Sequence, residues 1–339
     1  MRPRPKRTWA RHGAATGSQA PNQPWPDLST RVGSVALPSP VLTASGTSGH
    51  GAELASWMDL SRLGAVVVKS LSAEPWEGNP PPRLWPLADR VGLINSVGLQ
   101  NKGVEDWLSG DLPALAATGA RVVASVWGFS PAEFARVARS LARAVRQGRP
   151  GAERLVAVEL NISCPNVEDR RSVFAHSPTG VAQAVGAAVE GLEGVLPAWA
   201  KLSPNVTDLV ALARVALDSG AEALTLVNTL MGLAVDPRSG RPRLGGGGGG
   251  ISGPALHPVA VRAVWECRQE LPDAPIVGVG GVTTGEEAAE LLVAGADALQ
   301  VGTASFAEPG ACARVAAELA SFCHELGVKD LGELRARRR

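Results

Sequence analysis

The sequence predicts one (β/α)₈ barrel, and three observations lead there. From residue 40 onward, short β-branched runs alternate with Ala/Leu-rich amphipathic stretches. That alternation builds a parallel sheet with helices outside it. The alternating part is long enough, at roughly 250–300 residues, for such a sheet to close on itself. Nearly every apolar run also ends in a polar residue or glycine, as expected where strand ends gather at one mouth.

Strands are predicted near 40–45, 65–70, 92–95, 121–126, 154–160, 198–202, 223–227, 275–279 and 298–302. Helices are predicted over about 52–62, 102–108, 131–147, 179–195, 207–218, 257–270, 285–294 and 309–325. Helix punctuation supports these limits. Ser130-Pro131 and Thr284 are good helix starts, and Gly64, Gly220 and Gly295 fall where a left-handed cap is expected. Residues 72–101 are left as an insertion over the barrel mouth. Asp218-Ser-Gly-Ala-Glu-Ala-Leu-Thr-Leu-Val and Val293-Ala-Gly-Ala-Asp-Ala-Leu-Gln-Val echo each other as helix end, glycine turn and strand, consistent with a repeated half-barrel unit. The run Gly245 to Gly250 has no side chains to pack, so it should be mobile or let backbone come close to a ligand.

The domain division follows from composition. Residues 1–30 carry Arg2, Arg4, Lys6, Arg7 and Arg11 among prolines, glycines and polar residues, and read as a disordered basic tail ahead of a barrel over 31–330. Forty-five per cent hydrophobic residues and a net charge of +1 describe a soluble globular protein and imply no nucleic-acid partner. No run approaches a membrane span, and no hydrophobic signal core precedes the barrel. The four cysteines, Cys164, Cys267, Cys312 and Cys323, form no CxxC pair, so neither a metal site nor a disulfide framework is expected. A reducing, cytoplasmic setting fits best.

Asn161-Ile-Ser-Cys164-Pro-Asn166 puts a thiol between carboxamides directly after the strand run Leu155–Leu160. Such a cysteine could be a nucleophile, a metal ligand, a general base or an inert core residue. Flanking amides that both donate and accept suit a planar polar ligand. The other strand ends supply Ser45-Gly46, Lys69-Ser70, Asn95, Ser125, Lys201, Asn228-Thr229, Gly280-Gly281 and Gly302-Thr303. Lys69 and Lys201 each end an apolar run, where an ammonium is costly unless it faces an anion or an electron-rich ring; surface lysines at frayed strand ends are the alternative. Gly278-Val-Gly-Gly281 at the end of the strand predicted near 275–279, with Ser252-Gly253 and Gly302-Thr303, suits a backbone phosphate cradle, hence flavin mononucleotide (FMN) or a phosphorylated substrate. The histidines share no motif with a carboxylate, which gives a Ser/His/Asp hydrolase little support. Trp127 reads as a wall or core residue.

Taken together, these residues resemble the family 1 dihydroorotate dehydrogenases, particularly the NAD-linked subclass whose catalytic chain binds FMN. The resemblance runs through Ala44-Ser-Gly-Thr, Lys69-Ser-Leu, Glu74-Pro-Trp-Glu-Gly-Asn-Pro-Pro-Pro-Arg83-Leu, Asn95-Ser-Val-Gly-Leu-Gln-Asn101 and Asn161-Ile-Ser-Cys-Pro-Asn-Val167. It continues in Lys201-Leu-Ser-Pro-Asn-Val-Thr-Asp208, Asn228-Thr-Leu, Ile251-Ser-Gly-Pro-Ala255, Gly278-Val-Gly-Gly281 and Gln300-Val-Gly-Thr303, so that it covers about residues 30–325.

The resemblance implies oxidation of dihydroorotate to orotate in pyrimidine biosynthesis, with Cys164 as the base at C5 while hydride leaves C6 for flavin N5. It implies substrate contacts from Lys69, Asn95, Ser96, Val97, Gly98, Leu99, Asn161, Asn166, Asn228 and Thr229. FMN would be held by Ser45, Lys69, Ser70, Ser125, Asn161, Lys201, Val227, Gly253, Gly280, Gly281, Gly302 and Thr303. It further implies a homodimer and, for NAD reduction, a second subunit carrying FAD and an iron–sulfur centre, since this chain has no cluster-type cysteine spacing and no Gly-x-Gly-x-x-Gly. Fumarate is the other acceptor. Three departures stand out: Ser125 where the family usually has asparagine, the glycine run 245–250, and Glu168-Asp-Arg-Arg171 in place of a Lys/Gly-rich lid. The competing readings are a dihydropyrimidine dehydrogenase-like flavoenzyme, whose cysteine motif continues His-Gly-Met, and a non-catalytic flavin-binding barrel.

Overall fold

The computed structural model describes residues 24–88, 91–163 and 174–339. Cys164, Asn166 and the stretch Glu168–Arg171 lie outside the described residues, as do positions 1–23 of the expected tail. Its remaining part, 24–30, packs on the far end of the chain: Trp25 stacks on His324, and the Asp27 amide donates to Lys329.

Eight parallel strands form the barrel: β1 Val41–Thr43, β2 Val66–Val67, β3 Val122–Val126, β4 Leu155–Asn161, β5 Ala198–Leu202, β6 Ala223–Leu226, β7 Ile276–Val279 and β8 Ala298–Val301. They pair in the order β1-β8-β7-β6-β5-β4-β3-β2. The ring closes between β1 and β2, where Gly64 donates to Val41 and the Val67 amide donates to the Thr43 hydroxyl at 2.9 Å. Gly64 is therefore not a left-handed cap. A Cβ there would strike the Ser39 carbonyl, so the glycine serves close approach. Gly220 and Gly295 do cap helices at positive φ.

Strand alternation decides what fills the barrel, because residues two apart share a face. Val123, Ala157, Trp199, Ala223, Val277 and Ala298 form an apolar floor with Leu42 and Val67. Val32, Val35 and Leu37 close it from below, on a hairpin of Thr30–Val32 and Val35–Leu37 that composition had assigned partly to the tail. Two residues further along the same strands come Ser125, Glu159, Lys201, Thr225 and Gln300, all buried. The next step reaches the mouth at Asn161, Val227, Gly281 and Gly302. The opposite strand faces pack on the helices in a second, larger apolar cluster.

The helices at Pro131–Arg146 and Gly285–Ala294 start where expected: Ser130 accepts from the Glu133 amide, and Thr284 with Glu287 makes a capping box. The expected helix over 52–62 is instead two short 3₁₀ turns, Ala52–Ser56 and Leu60–Arg62. The expected strand near 92–95 is not a barrel strand. It lies in a four-stranded antiparallel cap ordered Leu230–Gly232, Gly249–Ser252, Leu93–Asn95, Leu84–Pro86. The insertion 72–101 thus covers the mouth as expected, but shares that task with the segment after β6.

The glycine run is a built element rather than a mobile one. Gly249 and Gly250 sit in the central cap strand, paired with Leu93–Asn95 on one side and Leu230–Gly232 on the other. A methyl group at Gly249 would run into the Asn95 carbonyl, and one at Gly250 into the Thr229 side chain. Absent side chains let the cap lie flat on the mouth.

Candidate active site

The strand ends, the cap and the loops enclose a cavity of ≈ 1040 Å³. This lies at the top of the roughly 300–1,000 Å³ range of ligand pockets, room for more than one small planar ligand. Its wall includes Ser45, Lys69, Ser70, Asn95, Asn161, Lys201, Val227, Asn228, Thr229, Gly253, Gly280, Gly281, Gly302 and Thr303. Ser96, Val97, Gly98 and Leu99 line it from the cap. The structure therefore brings together every described residue the sequence nominated except Ser125.

Ser125 is fully buried behind the wall, where its hydroxyl and that of Ser70 are 2.9 Å apart. The Asn161 amide donates to Ser70 at 3.2 Å, and the Asn228 amide donates to the Asn161 carbonyl oxygen at 3.1 Å. The Thr229 backbone N–H in turn donates to the Asn228 side chain at 2.9 Å. This chain crosses the ends of β3, β2, β4 and β6. It fixes which end of each carboxamide is oxygen, because every oxygen meets a donor.

Asn95 reaches the cavity from the cap, where its amide donates to the Gly250 carbonyl at 3.1 Å. The neighbouring cap loop is tied down by Asn79, which donates to Ser96, and by Trp76, whose Nε1 donates to Gly98 at 2.9 Å. Leu99 is held at φ 64°, a conformation rare for a branched side chain, in the stretch that faces the cavity. Asn79, Trp76, Phe129, Met231 and Phe306 also line the cavity and were not nominated. Trp76 and Asn79 lie inside the Glu74–Arg83 motif, which was the available signal. Trp76 and Phe129 make edge contacts with Trp127, which is core, as read from sequence.

The glycine side of the cavity is backbone. Gly253 and Gly281 have φ of +100° and +71°, open to glycine alone without strain. His257, at a helix start, braces this wall: its Nδ1 lies 2.9 Å from the Gly280 carbonyl and its Nε2 3.0 Å from Glu290. Sequence reasoning passed over His257 because Glu290, its carboxylate partner, is 33 residues away.

Lys201 stands at the bottom of the cavity with a nearly buried ammonium. Its Nζ is 3.2 Å from each of the Ser45 hydroxyl, the Glu159 carboxylate and the Gln300 side-chain oxygen. Lys69 also lines the cavity, beside Gly46. Neither lysine is a frayed surface residue. A flavin fits this donor set: a cation for its electron-rich edge, glycine backbone for its phosphate, and the hydroxyl of Ser163, buried without a partner among the described residues, on the wall. No helix among the described residues is long and apolar enough to cross a membrane.

Comparison with known proteins gives a consistent result. The family described as Dihydroorotate dehydrogenase matches residues 27–323. A protein of Solibacter usitatus named putative dihydroorotate dehydrogenase A (fumarate) is 45% identical over 309 residues, 91% of this chain and 97% of its own length. A protein of Desulforudis audaxviator named dihydroorotate dehydrogenase B (NAD(+)), catalytic subunit, is 45% identical over 303 residues, 89% and 94% of the two chains. The protein of Geobacter sulfurreducens with the same name is 40% identical over 309 residues, 91% and 97%.

Proposed function

Because the chain belongs to the dihydroorotate dehydrogenase family, whose members are flavin-dependent oxidoreductases of pyrimidine biosynthesis, we propose that it oxidises dihydroorotate to orotate on a bound FMN, with Cys164 as general base. The observation that carries this reading is the convergence of Lys69, Asn95, Asn161, Asn228 and Thr229 on the same cavity as Lys201 and the glycine turns. When bound, FMN supplies the hydride acceptor.

The chain's own residues then have separable roles. Asn161 and Asn228, oriented by their hydrogen-bond chain, match the amide edge of a planar pyrimidine, and Asn95 adds a contact from above. Asn166 would complete the set. An analogue missing one amide would leave a carboxamide unpaired, which is the strongest form of discrimination a polar site offers. Lys69 would meet the substrate carboxylate, and Lys201 the flavin ring. Gly253, Gly280, Gly281, Gly302 and Thr303 would receive the phosphate. A thiol base with an ordinary value near ~8.5 predicts turnover that rises toward alkaline pH. The dihydropyrimidine alternative is disfavoured by Asn166-Val167 in the cysteine motif, and the non-catalytic alternative by the intact set of amides and lysines.

For the acceptor we favour NAD⁺, reached through a second subunit carrying FAD and an iron–sulfur centre, with the catalytic chain as a homodimer in the cytoplasm. The relatives named catalytic subunits support this. The test is anaerobic absorbance of the purified chain at about 450 nm, where oxidised flavin absorbs. Dihydroorotate should bleach it, and neither NAD⁺ nor fumarate should recolour the isolated chain. Recolouring by fumarate alone would assign the other acceptor. A flavin-loaded chain that dihydroorotate does not bleach would overturn the proposed activity.

A further inference from the structure

Beside Lys201, in the layer between the apolar floor and the mouth, two polar side chains have no part in the proposed reaction. Glu159 and Gln300 are both fully buried. Glu159 Oε1 lies 3.2 Å from Lys201 Nζ, and Gln300 donates from Nε2 to the other carboxylate oxygen, Oε2, at 2.5 Å. Gln300 also accepts from Lys201, so the three side chains close a triangle. With Ser45 they offer three acceptors, as many as an ammonium has N–H donors.

Such an arrangement is poorly explained by stability. Taking two charges out of water costs about as much as their attraction returns, and apolar residues of similar volume do as well or better. The floor one layer below, Trp199, Ala157 and Ala298, shows that this barrel packs apolar side chains readily at equivalent positions. What the ion pair changes is the electric field at the cavity bottom, where low surrounding polarity lets a charge act over a long range.

We propose that Glu159, oriented by Gln300, sets the reduction potential of the bound flavin by offsetting the charge of Lys201. This rests on the flavin reading of the site. A lone buried cation at the cavity bottom would strongly favour the electron-rich reduced form of a flavin held there. The adjacent carboxylate removes most of that bias and keeps the flavin able to pass its electrons on. Glu159 is thus a positioning residue that acts through Lys201, and Gln300 fixes its carboxylate in place.

The test is the flavin midpoint potential, measured by anaerobic reductive titration of the flavin-loaded chain against a reference dye. Glu159→Gln keeps the shape and removes the charge, and should favour the reduced form at least tenfold, a rise of about 30 mV for a two-electron couple. Exchanging the pair, Glu159→Gln with Gln300→Glu, keeps one carboxylate beside Lys201 and should return the potential toward the wild-type value. Gln300→Leu removes hydrogen bonds but no charge and should move it less than Glu159→Gln. If Glu159→Gln binds flavin with an unchanged potential, if the exchange does not restore it, or if Gln300→Leu shifts as far as Glu159→Gln, the two residues are packing alone and the inference fails. Should Glu159→Gln not fold, the same upward shift is required of Glu159→Leu, and its absence sinks the inference. A wild-type chain that binds no flavin would instead sink the reading of the site.

Discussion

Replacing Gly249 by alanine tests whether the cap positions the substrate amides. Gly249 has no positive φ, so alanine meets no backbone penalty there, and the effect reduces to contact. The added methyl would stand 2.8 Å from both the Asn95 carbonyl carbon and Leu244 Cδ1, inside the 3.0 Å that real Cβ atoms keep. Leu244 can rotate, but the Asn95 backbone can only move with its strand, so the two cap strands must part by several tenths of an ångström. Overpacking of this kind costs about 1–3 kcal/mol of stability. Moving the Asn95 side chain by a fraction of an ångström should weaken transition-state contacts on the order of 10-fold to 100-fold. The expected result is a raised KM for dihydroorotate and weaker orotate binding by calorimetry, with flavin retained, because the glycine turns of the barrel are untouched. Gly186→Ala, in a helix with nothing within 4 Å of the new methyl, is the control and should gain about 0.5–1 kcal/mol. Orotate affinity within twofold of the wild type in Gly249→Ala would refute the claim that cap register sets the position of Asn95.

Three further outcomes are expected. His257→Ala removes the brace on Gly280 and should weaken flavin affinity roughly tenfold, about the value of one buried hydrogen bond, with little effect on orotate binding to enzyme saturated with flavin; fluorescence of released flavin reads this, and unchanged retention would discard the bracing role. Burial pushes the Cys267 thiol up to about 12 and the Cys312 thiol up to about 11, so both should resist iodoacetamide at pH 8 in the folded chain, as peptide mapping would show. Because those folded values are raised, their contribution to stability is present below the ordinary thiol value and lost as pH climbs through the shifted ones. The Arg149 guanidinium beside Glu105 holds that carboxyl below its usual range, so the pair's contribution is present above the ordinary carboxylate value and lost as acid titrates through the lowered one. Half-exposed and screened, it is worth under ~1 kcal/mol, so Glu105→Gln should destabilise slightly at neutral pH and not in acid; an equal loss at both would show that charge is not the cause.

The barrel was legible because its signals are local and repeated. A strand such as Leu155–Asn161 reads directly as an apolar run, and Ser130 or Thr284 announces the helix that follows it. The cap was hidden for the opposite reason. Its strands are three or four residues long, its central pairing spans more than 150 positions, as Asn95 meets Gly250, and a glycine run gives no alternation by which to recognise a strand. Residues at strand ends were found for the same reason the strands were. Those that act from a loop, such as Phe129, or through a distant partner, such as His257 and Glu290, carry no pattern in the chain.

The position of Ser125 shows how a buried hydroxyl can serve a site whose cavity it does not line. Ser125 is fully buried and sits entirely behind the cavity wall. Its hydroxyl instead anchors Ser70, which receives the Asn161 amide, which receives the Asn228 amide. Ser125 thereby gives the chain of polar side chains that runs to Asn228 and Thr229 a fixed, buried origin. Asn228 uses one amide hydrogen on Asn161 and one oxygen lone pair on Thr229, which leaves a donor and an acceptor of known direction for a ligand among the described residues. Since a hydroxyl can donate or accept, the serine pair can adapt to whichever polarity the chain requires. Selectivity for a ring edged with amides then depends less on any single asparagine than on the order in which they are linked.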